Sequence, residues 1–189
     1  MSFLLSFFMR KILFIIILFV LTTNLSANDR NVELDKLFLE LKKNIPSLSS
    51  GIAQQIWTLW STHPTDQKLT SILDEGSRLV QDRQLYRAID VFTEAIELDP
   101  LWAEAWNKRA TVFYMVGEFQ KSQDDIDKVL ELENRHFGAL AGQGMVNIKL
   151  KNYDKAKRSY QKAQEIYPAL ESPKVMIEQI EELIKRQSI

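Results

Sequence analysis

Apolar and small residues recur along this chain with a period of thirty-four. Segments 69–102, 103–136 and 137–170 align without a gap. The fourth place of each holds Ile72, Trp106 and Leu140, and the eighth holds Gly76, Ala110 and Gly144. The twentieth holds Ala88, Ser122 and Ala156; the twenty-fourth, Phe92, Ile126 and Tyr160; the twenty-seventh, Ala95, Val129 and Ala163. Pro100, Asn134 and Pro168 share the thirty-second. A fixed period of this length means a stacked helical array. Each unit reads as two helices, A then B. In the middle unit they fall near 103–116 and 119–132, separated by Gly117, where a left-handed turn needs glycine. Arg83-Gln84 and Lys151-Asn152 take that place in the other units. The small residues at places eight and twenty mark where A and B approach closely. Trp106 and Phe113 are expected to fill the space beside them. Pro100 and Pro168 stop helix B.

The flanks carry different patterns. In 28–67, Leu34, Leu37, Phe38, Leu41 and Ile45 follow helical spacing, so a helix through about Lys43 has one apolar face. Pro46 and Ser49-Ser50-Gly51 read as breaks. A shorter helix follows near 52–61, and Thr65 or Asp66 can cap the next. This helical hairpin is expected to cover the exposed first face of the array. Trp57 and Trp60 lie on one side of their helix. They are expected to pack on the first unit, with an exposed partner site as the alternative. At the other end, Ser172-Pro173 opens a helix. Its apolar face is Val175, Met176, Ile177, Ile180, Leu183 and Ile184, and its opposite face is charged. Segment 171–189 therefore reads as the solvating helix that ends an array.

The most apolar stretch is at the start. Arg10-Lys11 precede an unbroken apolar run, 12–21, and a small polar segment ending at Ala27. That is the three-part pattern of a secretory signal. Counting the apolar residues before Arg10 would place two cations inside a membrane, at roughly 2.5–3.5 kcal/mol each. Met9 is accordingly a plausible start of translation. Residues 1–27 are expected to be a signal peptide and the protein periplasmic or secreted. If the segment is uncleaved, the protein is anchored in the inner membrane; once it is cleaved, nothing inserts.

The formal charge is -1, and no large field draws the chain to nucleic acid. Cysteine is absent, which excludes disulfides, thiolate metal sites and a cysteine nucleophile. His63 and His136 are 73 residues apart and belong to no ligand-spaced cluster; His136 reads as a loop or helix-cap residue. The acidic run Asp124, Asp125, Asp127, Glu131 and Glu133 reads as a wet face of helix B. Gly138, Gly142 and Gly144 resemble a phosphate loop only superficially, with no strand before them and no Lys-Ser/Thr after. No nucleophile, base and orienter can be assembled, so an enzyme is not expected, nor a metal or cofactor.

The repeated places resemble the tetratricopeptide repeat (TPR), over about 102 residues and six matching places per unit. Arg109 and Gln143 stand where leucine is usual at the seventh place, Ser122 replaces Ala, and Asn134 replaces Pro. The layout, with IWTLW in the hairpin and WNKRA and RHFGALAGQG in the units, also resembles small secreted bacterial TPR proteins of unassigned role. The resemblance implies an all-α fold: a right-handed superhelical array of three helix pairs, with an N-terminal hairpin and a C-terminal capping helix. It further implies a concave groove lined by the A helices. The groove places hold Leu73 and Ser77, then Asn107, Lys108, Thr111 and Tyr114, then Ala141, Met145 and Ile148, with Glu104, Gly138 and Gly142 among them. An apolar floor with a few hydrogen-bonding groups suits a helix or extended segment of another protein. One TPR mode clamps the C-terminal carboxylate of heat-shock chaperones through Lys, Asn and Arg. Here those places hold Leu73, Ser77, Lys108, Gly138 and Gly142, so the clamp is absent. The function expected is a non-enzymatic, protein-binding scaffold of the cell envelope. The alternatives are a small-ligand or glycan-binding envelope protein and a structural oligomer built on the Trp hairpin.

Overall fold

The structure, a computed structural model, describes residues 29–187; the leader read over 1–27, with its alternative start at Met9, lies outside them. The described residues form nine helices and no strand. They are α1 (29–42), α2 (Pro46–Ser61), α3 (Gln67–Gln81), α4 (Leu85–Leu98), α5 (Ala103–Met115), α6 (Phe119–Leu132), α7 (Phe137–Lys149), α8 (Tyr153–Ile166) and α9 (Glu171–Gln187). Helices α3/α4, α5/α6 and α7/α8 are the three A/B pairs. Each pair packs on the next, and α9 packs on α8. No described helix is long and apolar enough to cross a membrane.

The turns between A and B share one geometry. Arg83, Gly117 and Lys151 have φ of 58°, 83° and 62°. In each unit the next backbone N–H reaches back five residues: Gln84 to Leu79, Glu118 to Phe113 and Asn152 to Asn147, at 2.8, 2.9 and 2.8 Å. These are Schellman ends, which satisfy carbonyls the helix leaves unpaired. Only the middle unit has glycine there. A side chain in this left-handed conformation costs about 1–2 kcal/mol, partly offset because glycine orders less readily. Arg83→Gly and Lys151→Gly are therefore each expected to raise unfolding stability by about 0.5–1 kcal/mol in urea.

Places eight and twenty-four match in size. A Cβ on Gly76 would overlap the Phe92 ring, and one on Gly144 would overlap the Tyr160 ring. The middle unit has Ala110 opposite the smaller Ile126, in one cluster. The ring at place twenty-four thus fills the close approach. Trp106 is only partly buried, and its indole N–H donates to the Pro100 carbonyl at 3.0 Å. Gly144→Ala is expected to cost about 1–3 kcal/mol by overpacking. Gly144→Ala/Tyr160→Ile, which copies the middle unit, should recover most of the melting temperature; equal melting of both variants would refute the size match.

The seventh place is polar for a repeated reason. Arg109 donates Nε and Nη2 to both Asp125 oxygens at 2.8 Å, and Nη1 to Thr93 at 3.0 Å. Gln143 donates to Asp127 at 3.1 Å and accepts from Ser159 at 2.8 Å. Each side chain thus ties its own helix B to the preceding one. Asp125 is buried rather than on a wet face, which corrects the reading of the acidic run. Burial pushes its carboxyl above the usual range, against the hydrogen bond and charge of Arg109.

The hairpin departs furthest from expectation. The break read at Pro46 is there, since α1 ends at 42, but Pro46 also starts α2, because its fixed φ suits a first helical turn. The Ser49-Ser50-Gly51 stretch lies inside α2, and Ser49 Oγ donates to the Ile45 carbonyl at 2.9 Å. Nor does the hairpin stack before the first unit. Trp60 accepts at its carbonyl from the Trp102 indole at 2.8 Å, and its own ring stacks on His136 at 3.9 Å. Trp57 meets Phe137 edge-on at 5.5 Å and covers Gly138, where a Cβ would overlap its indole. Ile166 and Tyr167 pack on the same cluster. Trp102, His136 and Tyr167 all lie where a helix B leaves and the chain turns. The hairpin is therefore a strut laid along the turns between units, reaching the third, and the two indoles do not pack on the first unit's open face.

Candidate functional site

The trough between α5, α7 and α9 gathers most of the expected groove residues. A cavity of about 90 Å³ lies between α5 and α7, lined by Asn107, Thr111, Tyr114, Gly142 and Met145 among others. A second, of about 310 Å³, lies between α7 and α9, lined by Tyr114, Ala141, Met145, Ile148, Lys149, Tyr160, Ser172 and Met176. The two share Tyr114 and Met145. Met145 is 42% exposed, and Tyr114 is half-buried against Phe119.

Three expected residues stand differently. Leu73 is 1% exposed, packed in the core around the first unit, and no partner can reach it. Ser77 lines neither cavity and donates to the Leu73 carbonyl at 2.9 Å. Lys108 lies 3.3 Å from Glu104 Oε1 and lines neither cavity. Asn107 borders the smaller cavity, but it is 9% exposed and its amide donates to Glu104 Oε2 at 3.0 Å. The trough thus belongs to units two and three. Its wall residues on α8 and α9, Tyr160 and Met176, are ones the groove register does not include. Met176 was visible on the apolar face of the last helix; its neighbour across the chain was not.

Glu104 faces the concave side by register but is buried, at the centre of a polar cluster. His136 caps α7: its Nδ1 accepts from Ala139 N–H at 3.0 Å. Its Nε2 must then carry the proton, and it donates to Glu104 Oε2 at 3.0 Å. His63 makes a similar arrangement two units earlier, at the start of α3. Its Nδ1 accepts from Asp66 N–H at 2.9 Å and its Nε2 contacts Asp99 Oδ2 at 2.8 Å. Both histidines serve helix starts, as read for His136. The Tyr160 hydroxyl, by contrast, is buried with no hydrogen-bond partner. Burial, with a smaller contribution from Tyr114, pushes its phenol up to about 12.

Residues 137–170 match a family model described as tetratricopeptide repeat. A TPR repeat-containing protein of Rhizobium etli is 34% identical over 137 residues, covering 72% of this chain and 67% of the relative. The chain is a tetratricopeptide repeat protein. Other TPR relatives share less of their length: Hsp70-Hsp90 organizing protein 1 of Glycine max is 29% identical over 46% of this chain and 15% of its own. Among solved structures, the first TPR of Spaghetti (RPAP3) bound to HSP90 peptide SRMEEVD superposes with a TM-score of 0.62 at 19% identity, over 63% of this chain and 94% of that one. The Sgt2 TPR domain from Aspergillus fumigatus gives 0.62 at 19%, over 65% and 83%. These likenesses show the fold. In this TPR protein, the polar residues at place seven and the strut along the turns are built onto that fold.

Proposed function

We propose that this TPR protein is a non-enzymatic scaffold or adaptor that binds a segment of another protein in the α5/α7/α9 trough. The observation that carries the reading is the continuity of the trough: two cavities joined at Tyr114 and Met145, apolar in floor and open at Met145. A structural neighbour holds a peptide of another protein. The groove here suits a different peptide from an acidic carboxyl terminus. Leu73 is buried, Lys108 is paired with Glu104, Gly138 is covered by Trp57 and Gly142 is bare. An apolar side chain is what remains to be recognised. The leader pattern supports work in the periplasm or outside the cell, or at the inner membrane if it is retained.

Crosslinking and pull-down from the cell envelope test the reading. Met145→Lys and Tyr114→Ala are expected to lose a prey band that the wild type captures, with Met145→Lys melting as the wild type does. Undiminished capture by both would move the partner surface to the B helices or the hairpin.

A further inference from the structure

The outward stripe of every helix B is charged at places nineteen, twenty-two, twenty-six and twenty-nine of its unit. On α6 these are Lys121, Asp124, Lys128 and Glu131, alternating in sign. They are served locally: Lys128 meets Glu131 at 3.0 Å, Lys121 meets Glu118 at 3.5 Å, and Asp124 accepts from Gln120 at 2.9 Å. The two outer B helices segregate the signs instead. Helix α4 carries Arg87, then Asp90, Glu94 and Glu97; α8 carries Lys155, Arg158 and Lys162, then Glu165. All eight are exposed except the half-buried Lys155, and among the described residues none forms an ion pair. Like charges three and four residues apart destabilise a helix. Each stripe is thus unfavourable in its own helix, and α6 stands between the two.

We propose that the two stripes are the halves of one self-association surface, with α4 of one copy lying antiparallel on α8 of a second copy. Along both stripes the charges are spaced by three, four and three residues, a span of about 15 Å. Run antiparallel, every opposed pair is of opposite sign: Arg87 with Glu165, Asp90 with Lys162, Glu94 with Arg158 and Glu97 with Lys155. Run parallel, Arg87 would face Lys155 and Glu97 would face Glu165. Complementary charge of this kind fixes register and excludes the wrong orientation. The contact is heterologous. A two-fold axis laying two such faces together either keeps helix direction, setting α4 on α8 in parallel, or reverses it, setting each helix on itself. An antiparallel α4/α8 contact is neither, so each copy keeps a free α4 or α8 and further copies add in a row. The trough walled by α5, α7 and α9 stays open, and the contact stands whether or not the trough binds a protein. Where it does, a row of troughs holds a multivalent partner more tightly than one trough can.

The test is sedimentation velocity of the purified protein over a concentration series, at about 0.1 M and about 1 M salt, where charges are screened beyond roughly 10 Å and 3 Å. At the lower salt the weight-average mass is expected to rise past that of a dimer without a plateau; at the higher salt it should stay that of a monomer. Asp90→Lys/Glu94→Lys/Glu97→Lys and Lys155→Glu/Arg158→Glu/Lys162→Glu should each be monomeric at the lower salt. An equal mixture of the two should associate again, since the reversed stripes match each other as the native ones do. Recovery on mixing also shows that both variants fold. The chain has no cysteine, so orientation can be read without the triple reversals. Glu94→Cys mixed with Arg158→Cys should join through a short bismaleimide faster than Asp90→Cys mixed with Arg158→Cys, the parallel neighbours. The proposal is overturned by a wild type that is monomeric at both salts, or by association that survives high salt or either reversal. It is also overturned if two variants that melt as the wild type stay monomeric when mixed, or if the Asp90→Cys mixture joins faster.

Discussion

Glu104→Ala is expected to destabilise the protein by about 2–6 kcal/mol, roughly 1–3 kcal/mol for each of the two buried donors it leaves without an acceptor. The carboxylate is shut away from solvent and receives the His136 N–H and the Asn107 amide, with the Lys108 ammonium at 3.3 Å. Truncation leaves the first two donors buried without an acceptor. His136 also holds the first turn of α7 and the face of Trp60, so the loss reaches from the second unit to the third and to the hairpin. Glu104→Gln keeps an oxygen for His136 and should cost less, about 1–2 kcal/mol. Urea unfolding followed by circular dichroism measures both. A loss within about 0.5 kcal/mol of zero for Glu104→Ala, as at an ordinary surface site, would refute the cluster.

Trp60→Ala is expected to cost about 3–5 kcal/mol, the range for removing a buried large aromatic ring. The indole is buried, stacked on His136 and packed on Phe38, Trp57 and Phe137. Where the loss falls matters more than its size. The hairpin meets the array along the turns, largely through this ring and Trp57, whereas the three helix pairs hold one another. Hydrogen exchange should therefore show protection collapsing first over 29–61 while α5 to α8 keep theirs. Loss that starts in the first unit would instead support a hairpin stacked on that unit.

The repeat places were legible because they act locally. Glycine at 117 and the matching Arg83 and Lys151 all stand at one left-handed turn, and α6 spans Phe119–Leu132 where the sequence places helix B. Sizes at places eight and twenty-four are complementary within a single helix pair. What the chain does over longer distances was not legible. Helical spacing shows that Trp57 and Trp60 share a face, but not that the face meets His136 and Phe137 some 80 residues on. Asp125 looks like its solvated neighbours until Arg109, sixteen residues away, is seen to pair with it. Groove register counted Leu73 as a lining residue, because register gives a direction and not the neighbour that covers it. In the trough, the residues on α7 followed from the repeat, while the wall from α9 depended on how the last helix packs.

The most direct measurement of the central claim is site-specific photo-crosslinking in living cells. A photoreactive amino acid is placed at Met145, at Thr111 or at Thr65, each exposed, the first two in the trough and the third in the loop before helix α3 of the first unit. Covalent adducts of one size from Met145 and Thr111, and none from Thr65, are the result predicted. Adducts from Thr65 with none from either trough position would contradict it.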